Sequence, residues 1–218
     1  MTQPVPAIIL AGGQSSRMGR DKALAELAGV PLVSWTTGRL SPQVGALAIS
    51  RHDGRLDGVE TSLPILADAG AAHDGPLAGL LAGLDWVATV EPDAIHAVTV
   101  PVDAPFLPLD CVTRLLALQR STGAAACVAA SGGRRHPTAA LWPVAARHVL
   151  RAAMRNEGLR RIGVLLDRLG AAEAEWSTAP FDPFLNLNTP EDLAAAEAIV
   201  LGLRSRDDVA EFRRPEPC

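Results

Sequence analysis

Short apolar runs alternate with amphipathic segments along the sequence, and this alternation limits the possible folds more than any other feature. The apolar runs, which are typical of buried strands, lie at residues 5–10, 44–50, 63–67, 94–102, 124–130, 138–142 and 174–177. Segments with helical spacing of apolar residues lie at residues 31–40, 77–87, 108–120, 144–156, 159–169 and from 190 onward. Apolar strands that alternate with helices predict an α/β fold, a single doubly wound, mostly parallel sheet with helices on both faces.

The length of the chain favours one domain. With 218 residues it can form one full core, and no long linker or internal repeat divides residues 1–203. Thr189 is suited to the N-cap of the last helix, Pro190 to its first position and Asp192 to the capping-box acid. Residues 204–218 are charged and contain proline, so we expect a flexible C-terminal tail there.

The charge balance excludes several classes of function. A net charge of −4 gives no reason to expect the concentrated basic face that binds nucleic acid or anionic membranes. No apolar run approaches the roughly 20 residues that cross a bilayer, and the N-terminal residues lack the basic region of a signal peptide. The cysteines, Cys111, Cys127 and Cys218, have neither paired nor zinc-like spacing. We therefore expect a cytoplasmic protein without nucleic-acid or membrane partners.

Two predicted strands end in residues that suit a charged ligand. The first strand runs into the segment AGGQSSRMGRDK, and the strand at residues 94–102 runs into Asp103. Open α/β sheets bind ligands outside the carboxyl ends of their strands, where the strand order reverses. If both ends lie in the same crevice, a basic glycine loop faces a carboxylate, as a complex of a nucleotide with magnesium requires.

The loop has the ingredients of a phosphate site but matches neither the Rossmann nor the P-loop spacing. Gly12 and Gly13 allow the backbone to approach a ligand and present N–H groups to it. Ser15 adds a hydroxyl donor, while Arg17 and Lys22 can neutralise phosphate oxygens. The alternative interpretation is a solvated surface loop, since glycine most often marks a turn.

The complete loop string resembles the signature of a nucleotidyltransferase superfamily that activates sugars, polyols and pterins with nucleoside triphosphates. Within that superfamily, whose fold is Rossmann-like, the chain is most similar to molybdenum cofactor guanylyltransferases. The resemblance extends over most of residues 5–203. It includes the segments LADAGAAHDGPLAGLLAGL (66–84), VPVDAPFLP (100–108), RHPTAALWP (135–143) and FLNLNTPEDL (184–193).

The resemblance implies transfer of GMP from GTP to the phosphate of molybdopterin, which forms molybdopterin guanine dinucleotide and pyrophosphate. With the loop chemistry above, it gives as nucleotide-binding candidates Leu10, Ala11, Gly12, Gly13, Ser15, Lys22, Ser50, Asp68 and Asp103. Asp103 matches the family's metal ligand, so Mg²⁺ is the implied cofactor, and Arg17, Lys22 and Asp103 are the catalytic candidates. The family often has asparagine where this chain has Ser50, and serine has fewer hydrogen-bonding groups.

Four more residues are candidates for contacts with the second substrate. Arg135 and His136 belong to a short basic cluster that either receives a phosphate or forms a solvated turn. Asn186 and Asn188 match a family motif whose role, toward metal, nucleotide or pterin, stays open. The expected partners are GTP and molybdopterin, with transient contacts to cofactor-biosynthesis or acceptor proteins.

Three other functions fit parts of the pattern. The first two are a related enzyme that uses CTP on molybdopterin and one that uses a nucleoside triphosphate on a sugar phosphate. The third is a nucleotide-binding module without catalysis. The string L-A-G-G followed by D-K favours guanylyl transfer, and the presence of Arg17, Lys22 and Asp103 together favours an enzyme.

Overall fold

The computed structural model describes residues 4–12, 21–68 and 75–204. Its strands are β1 (Ala7–Leu10), β2 (Glu26–Leu27), β3 (Val30–Pro31), β4 (Leu47–Arg51), β5 (Ile65–Ala67), β6 (His96–Pro101), β7 (Cys127–Ser131), β8 (Arg134–Pro143) and β9 (Ala172–Trp176). Its α-helices are α1 (Leu32–Leu40), α2 (Pro76–Val90), α3 (Cys111–Thr122), α4 (Ala146–Asn156), α5 (Ile162–Arg168) and α6 (Pro190–Arg204), and a 3-10 turn (Ser41–Gln43) follows α1.

Seven of the described strands form one sheet in the order β5-β4-β1-β6-β8-β7-β9, while β2 and β3 form a separate hairpin. β1 is parallel to both β4 and β6, β4 to β5, and β7 to β9. β8 alone runs antiparallel to its neighbours β6 and β7. The expectation of a mostly parallel sheet is therefore confirmed. The chain leaves β1 toward β4 on one side and returns to β6 on the other, so the strand order reverses at β1.

Helices cover both faces of the sheet, as the alternation of elements predicts. Successive residues of a strand point to opposite faces, and Ile8 and Ile9 of β1 accordingly belong to different core clusters. The cluster around Ile9 includes residues of α1 and α3, and the cluster around Ile8 includes residues of α2, α4 and α5. A third cluster joins the β2–β3 hairpin to α1 and α6 and contains Trp35 and Leu187.

The connection between β7 and β8 corrects one prediction. The sequence predicts a strand at residues 138–142, but β8 begins at Arg134 and pairs with β7 as a hairpin. Its two turn residues, Gly132 and Gly133, have φ angles of 55° and 72°, and such left-handed pairs close tight hairpins. Because β8 is antiparallel, its first residues lie at the same edge of the sheet as the end of β6.

The two helix-start predictions have different outcomes. At α6, Thr189 Oγ1 accepts a hydrogen bond of 3.1 Å from the Asp192 backbone N–H, and Asp192 Oδ2 accepts one of 2.9 Å from the Thr189 backbone N–H. The predicted capping box is therefore confirmed. The sequence predicts a helix from residue 31, but Pro31 precedes α1 and has an extended ψ of 142°.

The flexible tail is predicted at residues 204–218. α6 continues to Arg204, and residues 205–218 lie outside the described residues. Among the described residues, no helix combines the length and the apolar character that a membrane span requires.

Candidate active site

The carboxyl ends of β1, β4 and β6 are held together by backbone hydrogen bonds. The Ala11 N–H donates to the Ser50 carbonyl oxygen over 2.8 Å, and the Val102 N–H donates to the Leu10 carbonyl oxygen over 3.1 Å. Leu10 and Ala11 thus lie between the ends of the two neighbouring strands. The two strand ends that the sequence singles out, after Leu10 and before Asp103, meet at this edge.

Two segments that are distant in the sequence converge on the ammonium group of Lys22. Lys22 Nζ donates to Asp103 Oδ2 over 2.8 Å and to Asn188 Oδ1 over 2.5 Å. These partners are 81 and 166 residues away in the sequence. Asp103 is 9% exposed, and its carbonyl oxygen accepts a hydrogen bond from the Leu187 N–H over 3.0 Å. The segment that carries Asn188 is therefore tied to the end of β6 through backbone and side chain.

Asp103 does not act as the cap of the following helix. The helix predicted from Pro108 starts instead at Cys111, and Asp110 occupies its N-cap position. The carboxylate of Asp103 faces Lys22. Its position at the strand end leaves it available for chemistry at the sheet edge.

A tight turn carries Lys22 into the site. Asp21 Oδ1 accepts a hydrogen bond of 3.0 Å from the Ala23 N–H, and the Leu24 N–H donates to the Asp21 carbonyl oxygen over 3.2 Å. The Ala25 N–H donates to the Lys22 carbonyl oxygen over 3.1 Å. Asp21 therefore organises the backbone around Lys22.

A second polar pair, Ser50 and Asp68, lies beside the end of β1. Ser50 Oγ donates to Asp68 Oδ1 over 2.8 Å. Burial raises the pKa of the Asp68 carboxyl, and the hydrogen bond from Ser50 opposes that rise. Ser50 is itself buried. The serine that replaces the family's asparagine therefore orients the carboxylate instead of leaving it unpartnered.

Two glycines make room for this pair. A Cβ atom at Gly12 would lie 3.2 Å from Asp68 Oδ2, and one at Gly79 would lie 2.8 Å from Ser50 Oγ. Side chains at either position would push against the polar pair. Gly12 is among the predicted site residues, whereas Gly79 is not. A glycine in the middle of the amphipathic α2 segment was the available signal, because it costs helix stability unless packing requires it.

The remaining loop candidates, Gly13, Ser15 and Arg17, lie outside the described residues. Their assignments to the nucleotide stay predictions.

Asn186 lies two residues before Asn188, and the Asn188 side-chain amide donates to the Asn186 carbonyl oxygen over 3.4 Å.

Arg135 and His136 are neighbours in β8, and their side chains make different contacts. Arg135 pairs with Asp167, at 2.6 Å from Nη1 to Oδ1, and with Glu173, at 3.4 Å from Nε to Oε1. His136 is buried and stacks on Phe184 with ring centroids 4.8 Å apart. The basic cluster that the sequence indicates is thus divided between acidic partners and an aromatic contact. A role of either residue toward the second substrate stays a prediction.

Further polar contacts link His136 to the segment before Asn188. Ser131 Oγ lies 2.7 Å from His136 Nε2 and donates to Asp182 Oδ1 over 2.8 Å. Since the hydroxyl proton goes to Asp182, His136 Nε2 carries the proton that is donated to Ser131. Burial lowers the pKa of His136, and the nearby carboxylate of Asp182 opposes this effect.

The donor atoms at the site suit a hard cation. Asp103 supplies a carboxylate and Asn188 an amide oxygen, and magnesium prefers oxygen ligands while keeping several waters and substrate phosphates in its shell. Within residues 4–12, 21–68 and 75–204, no group of three or more His, Cys, Asp or Glu side chains is arranged to hold a metal ion. One carboxylate with a neighbouring amide fits an ion that is bound mainly through a triphosphate.

Comparison with solved structures identifies the fold. The molybdopterin-guanine dinucleotide biosynthesis protein A from Archaeoglobus fulgidus superposes with a TM-score of 0.67 at 23% identity, covering 91% of this chain and all of that one (100%). A 2-C-methyl-D-erythritol 4-phosphate cytidylyltransferase from Thermus thermophilus gives a TM-score of 0.60 at 19% identity, covering 91% and 98%. At these identities the likeness concerns the nucleotidyltransferase fold alone.

Comparison of sequences identifies the family. Residues 7–170 match the MobA-like NTP transferase domain. The molybdenum cofactor guanylyltransferase of Rhodopseudomonas palustris strain BisB5 is 45% identical over 197 residues, covering 90% of this chain and 94% of that protein. The enzyme of the same name from Mesorhizobium japonicum is 41% identical over 209 residues, covering 94% and 100%. With this identity over nearly the whole length, the chain is a nucleotidyltransferase that belongs to the molybdenum cofactor guanylyltransferase family.

Proposed function

We propose that this protein transfers GMP from GTP to the phosphate of molybdopterin, producing molybdopterin guanine dinucleotide and pyrophosphate. The observation that carries the proposal is the meeting of Lys22, Asp103 and Asn188 at the strand ends. A cation, a carboxylate and an amide from three distant segments form an arrangement suited to a triphosphate with its metal ion. The names of the relatives indicate guanine as the base of the nucleotide and the molybdenum cofactor as the acceptor of the transferred group.

The nucleotide is assigned to the crevice at the end of β1. Lys22 neutralises triphosphate oxygens, together with Arg17, Gly13 and Ser15 of the loop. The paired Ser50 and Asp68 receive the base, since guanine carries two adjacent N–H donors on its pairing edge and a carboxylate accepts both. Leu10, Ala11 and Gly12 form the floor between the two halves of the site.

The reaction needs charge neutralisation more than proton transfer. An oxygen of the molybdopterin phosphate forms a bond to the α-phosphorus of GTP, and the bond from that phosphorus to the oxygen bridging to the β-phosphate breaks. The attacking phosphate monoester has a second pKa near 6, so it is largely ionised at neutral pH and requires no general base. Arg17 and Lys22 offset the repulsion between the two anions and stabilise the departing pyrophosphate.

A divalent metal fits the same arrangement. When bound, Mg²⁺ would neutralise charge on the triphosphate, and Asp103, with the amide oxygen of Asn188, would hold it. Asn186, Arg135 and His136 remain the candidates for contacts with the pterin substrate.

Cys111 and Cys127 are free thiols, which supports a reducing, cytoplasmic compartment. Transient contacts there would pass the product to acceptor proteins.

A thermal-shift comparison of GTP, CTP, ATP and UTP, each with and without Mg²⁺, tests the proposal. A ligand that binds the folded state alone at a hundredfold excess over Kd stabilises it by about 2.7 kcal/mol. That corresponds to a rise in Tm of about 5–10 °C for a chain of this length. We expect the largest rise with GTP and Mg²⁺. An equal or larger rise with CTP would contradict the assignment of guanine.

The variants Asp103→Ala and Lys22→Ala test the two charged residues, with pyrophosphate release, GTP binding and the thermal transition as readouts. We expect Asp103→Ala to lose pyrophosphate release while keeping a cooperative thermal transition, and Lys22→Ala to weaken GTP binding. Near-normal turnover in Asp103→Ala would remove Asp103 from the mechanism. Unchanged GTP affinity in Lys22→Ala would remove Lys22 from the triphosphate site.

A further inference from the structure

Arg51 is the last residue of β4 and lies at the same sheet edge as the active site. Its side chain is 17% exposed, and its guanidinium contacts two carboxylates. Nη2 pairs with Asp21 Oδ2, and Nε donates to Asp53 Oδ1 over 2.9 Å. The hydrogen bond with Asp21 is the main cause of a raised pKa of Arg51, and burial opposes it. Arg51 therefore holds a fixed positive charge beside the turn that carries Lys22.

Asp21 links Arg51 to the turn that carries Lys22. One of its carboxylate oxygens pairs with Arg51, while the other accepts the hydrogen bond from the Ala23 N–H. Lys22 lies between these two anchored residues, and its ammonium reaches Asp103 and Asn188. A lysine has a flexible four-carbon stem, so the position of its charge depends on how firmly its backbone is held.

We propose that Arg51 is a positioning residue for Lys22, acting through Asp21. The proposal rests on the proposed function, in which Lys22 binds the triphosphate. Without Arg51, the Asp21 carboxylate would lose its cation and the turn would lose its link to β4. An unpaired carboxylate would then lie next to the residue that must attract a polyanion.

The guanidinium is not arranged for stability alone. Arg51 Nη1 is buried and has no hydrogen-bond partner among the described residues. A buried donor without an acceptor opposes folding, and the side chains of Asp21 and Asp53 are 27% and 52% exposed, so water can solvate both carboxylates once the arginine is removed. A methionine at position 51 should therefore preserve the fold while releasing Asp21, which separates positioning from stability.

A double-mutant cycle tests the proposal with Arg51→Met, Asp21→Asn and the double variant. The readouts are kcat and KM for GTP from pyrophosphate release, the GTP dissociation constant from calorimetry, and Tm. We expect each single change to lower kcat/KM about 10- to 100-fold, the loss typical of a group misplaced by about 1 Å. Because both residues act through one contact, the kcat/KM of the double variant should be no lower than that of the less active single variant. Arg51→Lys should recover part of the activity.

The matched control is Arg151→Met, which breaks an arginine–aspartate pair away from the site. Arg151 Nη2 lies 2.5 Å from Asp85 Oδ2 and joins α4 to α2. This variant should keep wild-type kinetics, with a Tm within about 3 °C of that of Arg51→Met.

Several outcomes would overturn the proposal. Losses that multiply in the double variant would mean that Arg51 acts independently of Asp21, for example by contacting phosphate itself. Full activity in Arg51→Met, or losses of kcat/KM that occur only together with a lower Tm, would also contradict the positioning role of Arg51. A wild-type protein that binds GTP without turning it over would contradict the proposed function instead, and the dissociation constants of the variants would still decide the role of Arg51.

Discussion

The carboxyl group of Asp68 shows how a single residue of the proposed nucleotide site can oppose stability. Burial raises its pKa, so the folded state holds the proton more tightly than the unfolded state does. This contribution to stability is present below the unfolded pKa near 3.8 and is lost as the pH rises through the folded pKa. At neutral pH the ionised carboxylate of Asp68 therefore destabilises the protein that it serves.

Asp68→Asn should raise stability and weaken function together. The neutral amide avoids the cost of burying a charge, and its oxygen can still accept the hydrogen bond from Ser50. We expect Tm at pH 7 to rise by about 1–3 °C, a gain that shrinks toward pH 4, while GTP binding weakens at least tenfold. Scanning calorimetry against pH measures the first effect. Asp93→Asn, at an exposed site, is the control, and a Tm that falls only in Asp68→Asn would contradict the argument.

At the scale of residues, the sequence selects Asp103 and the loop that leads to Lys22 because two strand ends of a parallel sheet share an edge. Ser50 and Asp68 came from the resemblance to the family, since the local sequence does not show that a serine and an aspartate 18 residues apart will pair. Arg51 could not be assigned a role, because its function depends on a partner 30 residues earlier that only the folded chain brings to it.

At the scale of elements, the close packing of α2 on β1 limits which side chains fit between them. A Cβ atom at Gly83 would lie 2.6 Å from Ile8 Cγ1 and 3.0 Å from Ile8 Cγ2. Both residues are buried, so the isoleucine cannot simply move into solvent. This close approach sets the distance between the helix and the strand whose end forms the floor of the site.

Gly83→Ala should therefore destabilise the protein although alanine favours helices. The intrinsic gain of about 1 kcal/mol is outweighed by overpacking, which typically costs about 1–3 kcal/mol. We expect a lower free energy of unfolding in urea. Gly202→Ala in α6 is the matched control, since among the described residues no atom beyond its own helical turn lies within 4 Å of its added Cβ, and it should be neutral or stabilising. A stabilised Gly83→Ala would show that α2 can move away from β1.

The prediction of elements is wrong at the short hairpins. The sequence predicts no strand at residues 26–31, yet β2 and β3 pair there across Ala28 and Gly29, which have φ angles of 52° and 76°. Strands of two residues each carry too few side chains to show a period. The Gly132-Gly133 pair did carry a hairpin signal, and it would have predicted the antiparallel direction of β8.

At the scale of the whole molecule, a buried histidine joins segments that are distant in the sequence. His136 of β8 contacts Ser131 of β7, and through it Asp182, which precedes the segment that reaches Lys22. The charged groups near His136 are Asp182, Arg134 and Glu175. Burial is the main cause of its lowered pKa, so the folded protein favours the neutral imidazole.

This histidine should make stability depend on pH. A lowered folded pKa means that stability is complete above the unfolded pKa near 6.5 and is lost as the pH falls through the folded pKa. We expect the Tm of the wild type to fall between pH 7 and pH 5, and to fall less in His136→Gln. His148→Gln, at an exposed site, should retain the wild-type slope. Equal slopes in all three proteins would exclude His136 as the source.

The order of strands in the sheet could not be predicted from the alternation of elements. The pattern gives strands and helices in sequence, but placing β4 and β6 on opposite sides of β1 depends on long-range packing that local periodicity does not encode. That placement decides where the site forms. The resemblance to a known family therefore supplied information about the site that periodicity alone lacked.

The hydrogen bond between Lys22 and Asn188 also has a consequence for synthesis of the protein. The ribosome makes the chain from its N-terminus, and this contact spans 166 residues. The ammonium of Lys22 can gain its amide partner only after residue 188 has left the ribosome. The described strands all lie before residue 188, so this corner of the proposed nucleotide site can form only after every strand of the sheet has been synthesised.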